Sequence, residues 1–145
     1  MNIPWYVTAL AAALIWGIHY PLVDFALKRI SVFSVLLLTV VPVLLLTPLF
    51  LRDVVQDLNS VRSLPVTEQG TIAAIALTSL LGAVLLYLSI AGKNATLASL
   101  IEITYPVFVV FFSYILFRQL HLNASVIVGG LMVIMGAGLI IYKNQ

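Results

Sequence analysis

The chain has 145 residues, of which 63% are hydrophobic and only 8% charged, and its mean hydropathy is +1.18. A soluble domain of this size needs far more charge to cover its surface, so the class is a polytopic membrane protein with no room for a separate soluble domain. The net charge of +2 is carried by basic residues that stand singly or in pairs. They form no stripe, which argues against a nucleic-acid partner. With no cysteine, disulfides and thiolate metal sites are excluded.

The N-terminal Met1-Asn2-Ile3-Pro4 lacks the basic region of a secretory signal. The apolar run behind it is too long for such a signal and reads as an uncleaved first span. No lipidation motif is present. The first span covers residues 5–27 and holds Trp16, Gly17, His19, Tyr20, Pro21 and Asp24, with Lys28 and Arg29 closing it. The second, residues 32–51, contains Pro42 and Pro48 but no charge. Membrane helices tolerate such prolines when neighbouring groups satisfy the freed carbonyls.

Arg52 to Gly70 is the longest polar stretch. Val54, Val55, Leu58 and Val61 fall there at near-helical spacing, so part of it reads either as a short interfacial helix or as a solvated connector. The third span covers residues 71–91. A five-residue link, Gly92 to Thr96, joins it to the fourth, residues 97–117. So short a link makes the pair an antiparallel hairpin. Asn94-Ala95-Thr96 matches a glycosylation sequon, but it hugs the membrane and is read as chance. Arg118 to His121 forms a second tight link, and the fifth span covers residues 122–142. Trp5, Tyr6 and Tyr142 read as interfacial anchors.

Five spans put the termini on opposite faces. Arg52, Arg62 and Arg118 then share the N-terminal side, and Lys28, Arg29, Lys93 and Lys143 the other. That balance sets no clear orientation by the positive-inside rule. Either one orientation is weakly preferred, or identical chains insert both ways and pair antiparallel.

The order of these features resembles one EamA-type half of the drug/metabolite transporter superfamily, in its five-span bacterial and archaeal group. The resemblance rests on Trp16-Gly17 in the first span and the Ala-rich start of the fourth. It extends over Pro106-Val107-Phe108 in mid-helix, a short polar link, and a last helix carrying Gly129 and Gly136. It covers nearly the whole chain. It implies an all-α integral membrane protein whose five transmembrane helices form half of a ten-helix inverted-repeat transporter, completed by dimerisation and sited in the inner (plasma) membrane. The implied partners are the lipid bilayer, a small-molecule substrate and a second copy of the chain, or else a related half. The chain departs from the family at two places. Gln119 stands where many members carry Glu, and the second span lacks the Arg that many members have near Thr39.

Glu102 is the one acidic residue well inside a span. A charge there costs at least ~2.5 kcal/mol, so it asks for a function or a partner. At ~1.5 Å rise per residue, Glu102, His19 and Tyr87 fall at comparable depths below the same face. Tyr105 follows Glu102 by about one turn. Trp16, His19, Tyr20, Tyr87, Glu102 and Tyr105 are therefore the expected lining of one substrate- or proton-binding pocket. The alternative is a structural carboxylate that is hydrogen-bonded or paired with Lys93. His19 reads as a proton relay or a packing residue, and Asp24 as an ion-pair partner of Lys28.

Pro106 removes a backbone donor and is expected either to kink its helix or to leave a polar backbone patch in a cavity. Ser125, Gly129 and Gly136 share one face of the last helix and are the expected dimer interface, or else packing within the chain. No metal-ligand spacing, phosphate loop or catalytic triad is present, so no enzyme, metal or cofactor is expected. Two functions follow. One is a dimeric secondary carrier of metabolites or drug-like solutes working by alternating access, with Glu102 as a proton-coupling group. The other is a non-transporting subunit, or one half of a heterodimer.

Overall fold

In a bilayer every backbone polar group needs a partner within the protein, and a helix supplies it locally. A computed structural model describes residues 3–120 and 122–144. In it the chain is helical wherever the apolar runs are long. The helices are α1 (Trp5–Leu27), α2 (Val32–Leu46), α3 (Leu51–Arg62), α4 (Val66–Gly92), α5 (Ala95–Glu102), α6 (Tyr105–Phe117) and α7 (Ala124–Asn144). A short 3-10 segment, Thr47–Phe50, joins α2 to α3, so that the two run on as one helical stretch. α5 and α6 likewise make one stretch, which leaves five stretches long and apolar enough to cross a membrane. The protein is an all-helical, multi-pass membrane protein. Met1, Asn2, His121 and Gln145 lie outside the described residues, and with them the extreme N-terminus and the end of the last tight link.

The helix bounds differ from the expected spans where local chemistry intervenes. Pro48 cannot donate to a preceding carbonyl, and the second stretch tightens to 3-10 geometry around it. The polar stretch after it is helical over α3 and turns sharply at Ser63–Pro65. α4 then starts five residues before the apolar run does. Gln69 explains that early start. Its side-chain amide donates to the Arg62 carbonyl at 3.3 Å and to the Leu64 carbonyl at 2.8 Å, closing off the orphan acceptors at the end of α3.

The short link before α5 is closed by Asn94. Its backbone is extended and its side-chain oxygen accepts from the Leu97 amide at 2.9 Å, the geometry of an N-cap. Asn123 does the same for α7, accepting from the Val126 amide at 2.9 Å and from the Ser125 hydroxyl at 2.6 Å. α6 ends at Arg118, the only non-glycine residue among those described with a positive φ, 55°. Its amide turns back to the Ser113 and Tyr114 carbonyls.

The described residues form two compact units. One holds α1 up to Leu22 together with everything from Gly92 onward. Its buried side chains are small: Ala95 and Ala98 on α5 and Ala137 on α7. Alanines let the α5 and α7 backbones approach closely, which is how helices gain packing energy in lipid. Lys93 Nζ donates to the Asn144 carbonyl at 3.1 Å. Lys93 and Lys143 therefore stand at the same end of this unit, as the assignment of basic residues to faces requires.

The other unit runs from Val23 to Ala91. Its buried side chains are Val23, Val35, Leu36, Tyr87 and Ile90, drawn from α1, α2 and α4. Most remaining large apolar side chains are exposed, as lipid-facing surfaces must be.

Replacing Asn94 by Ala removes the α5 cap and should cost about 1 kcal/mol of stability. Asn94→Asp, which keeps an acceptor, should cost less. Unfolding of the purified protein in mixed detergent micelles would show the difference as a lower midpoint for Asn94→Ala alone.

Candidate functional site

Trp16, His19 and Tyr20 are spaced three and four residues apart on α1, and that spacing stacks them on one face. The Trp16 and His19 rings meet edge to face with centroids 5.1 Å apart. The Trp16 and Tyr20 rings lie 5.7 Å apart at 40°, and His19 and Tyr20 are 6.2 Å apart. His19 and Tyr20 are half-buried, whereas Trp16 is 52% exposed. Quadrupolar rings favour such tilted and edge-on contacts.

From this cluster the Tyr20 hydroxyl reaches across to α5 and donates to Glu102 Oε2 at 2.8 Å. Both groups are part-buried, so little water competes for the carboxylate. A hydrogen bond to an ionised acceptor is roughly twice as strong as a neutral one. The carboxylate is thus stabilised by a hydroxyl donor. The expected alternative partner, Lys93, is committed instead to the Asn144 carbonyl, and the only ion pair among the described residues joins Lys28 to Asp24 at 3.3 Å.

Glu102 is the last residue of α5, and the regular helix lapses directly after it. Pro106, four residues on, has no amide to give the Glu102 carbonyl. The chain passes the gap in tight turns. The Ile103 amide bonds to Ser99, the Thr104 amide to Ile101, and the Val107 amide to Thr104. Thr104 also donates its hydroxyl to the Ile101 carbonyl at 2.9 Å. The interruption therefore sits beside the carboxylate, and Thr104 helps satisfy the disturbed backbone. Sequence reasoning passed over Thr104, although a threonine two residues before a mid-span proline is a usable signal.

The remaining expected pocket residues divide. Tyr105 opens α6 beyond the break and is 57% exposed. The regular helical phase that linked it to Glu102 does not run through Ile103 and Thr104. Tyr87 belongs to the Val23–Ala91 unit, where it is buried and its hydroxyl interacts with the Thr39 side chain. Thr39 gives its own hydroxyl to the Leu36 carbonyl at 2.7 Å. It was not among the expected site residues.

Of the expected interface residues, Ser125 is held by Asn123 at the start of α7. Gly129 and Gly136 are exposed, with open space where a Cβ would stand. The close approach within the chain uses the neighbouring face instead, where a Cβ on Gly130 would meet Val107 Cγ2 at 3.6 Å. Between α6 and α7 lies a groove of about 440 Å³, bordered by Pro106, Val107, Val110, Val126, Gly130 and Ile134 among others. All its lining residues are apolar or glycine, and Glu102 and Tyr20 are not among them. The groove and the polar site are separate features. No cluster of three or more His, Asp or Glu side chains able to hold a metal occurs among the described residues.

Five membrane-spanning stretches, with a hydroxyl-bound carboxylate beside a broken helix, define the class of polytopic membrane proteins that carry a polar site at bilayer depth. Residues 3–142 match the EamA-like transporter family, and the chain belongs to it. Comparison with curated proteins and with solved structures returned no match.

Tyr20→Phe tests the contact. The hydroxyl ties the carboxylate of α5 to α1, and its loss removes that link. Any transport that depends on this contact should then fall while the protein still assembles, as read by flux alongside size-exclusion chromatography.

Proposed function

We propose that the chain is a subunit of a secondary transporter that moves small organic metabolites or drug-like solutes across the inner (plasma) membrane by alternating access. The observation that carries this reading is the Tyr20–Glu102 hydrogen bond, part-buried within a membrane-spanning helix pair and next to the break at Ile103–Thr104. A carboxylate at bilayer depth is expensive unless it is used or neutralised. Here it is bound by a neutral donor, which can be exchanged for a proton or for a cationic group of the substrate. Trp16 and Tyr20 offer ring faces to a flat or cationic solute, and His19 stands within the same cluster as a candidate relay. Tyr87 and Tyr105 are the further candidate lining residues.

The broken helix supplies a means of movement. A segment that has already lost its regular hydrogen bonds at Pro106 can change its angle at small cost, whereas an intact helix cannot. Protonation of Glu102 weakens the bond from Tyr20 and biases that angle.

The reading includes assembly with a second copy in the opposite orientation, which would form an inverted repeat. The exposed Gly129 and Gly136 on α7, with Ser125, form the face we assign to that contact. Small residues allow the close backbone approach that membrane dimers use.

Glu102→Gln should abolish pH-gradient-driven uptake of a flat organic cation into reconstituted vesicles, leaving dimerisation intact. Unchanged flux would remove the carboxylate from the mechanism. A wild-type chain that moves no solute would point to a subunit that works only with a related half. The antiparallel arrangement is tested separately. Reporters at the C-terminal end and in the Ser63–Pro65 turn should each register on both sides of the membrane, and a single orientation for all molecules would sink it.

A further inference from the structure

We propose that α3 is a membrane-surface helix, seated with its apolar face in the boundary between acyl chains and headgroups. At ~100° per residue, Leu51, Val54, Val55, Leu58 and Val61 fall on one arc about 120° wide. Arg52, Asp53, Gln56, Asp57, Asn59 and Ser60 take the other side of the helix, and Arg62, its last residue, is the one charge within the arc. Among the described residues most of the apolar arc is uncovered: Leu51, Val54, Val55 and Leu58 are exposed, and Val61 is half-buried.

Length locates this helix. α2 has 15 residues and the 3-10 segment four. At ~1.5 and ~2.0 Å per residue they rise about 30 Å, the thickness of the hydrocarbon core. The bilayer has therefore been crossed before α3 begins.

Backbone geometry lets the chain turn there. Pro48 interrupts the donor pattern, and Phe50, with φ −114° and ψ 13°, leaves the helical region. At its other end, α3 is tied by the three-residue turn and by the Gln69 side chain to α4, itself a membrane span. A 12-residue helix held at both ends to spans, with one apolar face uncovered, fits the membrane surface.

Charge narrows the kind of surface. Arg52 and Arg62 are balanced by Asp53 and Asp57. No excess of lysine or arginine asks for anionic headgroups, and burial of the apolar face is the attraction. A bilayer of zwitterionic lipid is enough.

The chain contains no cysteine, so single cysteines can be introduced at Val54, Leu58, Gln56 and Ser60 and labelled with a nitroxide. The full chain, reconstituted in phosphatidylcholine vesicles, is then probed by collision with oxygen and with a water-soluble nickel chelate. Labels at 54 and 58 should meet oxygen several times more readily than nickel, and labels at 56 and 60 the reverse. If a label at Leu58 impairs folding, Val55 offers a second site on the same arc. Nickel access at all four positions would place α3 in water and overturn the proposal. Shielding of 54 and 58 from both reagents would also overturn it, because protein, including a second copy, would then be the cover. A pattern that appears only after anionic lipid is added would overturn the zwitterionic assignment.

Discussion

Inside hydrocarbon, a peptide or carboxyl group has no water to turn to, and this constraint accounts for most of the local structure. Hydroxyls within the spans bond back to their own helices. Thr39 donates to Leu36, Thr47 to Val43 and Thr78 to Ala74. Helix ends are closed by Asn94 and Asn123, and Gln69 closes α3. No buried side-chain nitrogen or oxygen among the described residues lacks a partner. The one carboxylate at depth follows the same rule, receiving the Tyr20 hydroxyl. It also adjoins the place where its own span divides into α5 and α6, so the costliest side chain and the least regular backbone of that span share a site.

That coincidence has a physical source in Pro106. A proline placed four residues after Glu102 withdraws the donor from the Glu102 carbonyl itself. The residue that brings a carboxylate into the membrane is thus also the residue whose backbone acceptor is released. A site of this kind can present both a side-chain and a main-chain oxygen from one position, and bilayers tolerate irregular backbone only where protein or a cavity shelters it.

The spans were legible in the sequence because hydrophobic length is a one-dimensional property. The apolar run of residues 5–27 and the helix α1 coincide. Boundaries set by side-chain chemistry were less legible. The early start of α4 depends on Gln69 reaching backward to carbonyls of another helix, which no periodicity reveals. Asn94 was visible only as part of a sequon, while its actual work is a cap. At the site, the spacing of Trp16, His19 and Tyr20 announced a shared face, and Glu102 announced itself by its charge. Their meeting did not follow from depth alone, since depth says nothing of azimuth. The position of Tyr105 was less legible for a related reason: extending helical phase across Ile103–Thr104 assumes the very hydrogen bonds that Pro106 removes.

Azimuth also separates the two glycines that stand side by side on α7. Gly129 and Gly130 are adjacent in sequence but ~100° apart around the helix. Gly130 faces Val107 within the chain, and the inward position one heptad later is the buried Ala137. Gly129 borders the apolar groove between α6 and α7, and a Cβ there or at Gly136, one heptad on, would meet nothing within 4 Å. Small residues inside the chain are explained by the close packing they permit. Small residues outside it gain no such packing from their own fold, and against lipid tails a glycine offers less contact than a leucine while costing helix stability. The difference between the two rows is thus one of azimuth, since Gly130 and Ala137 pack within the chain while Gly129 borders the α6–α7 groove.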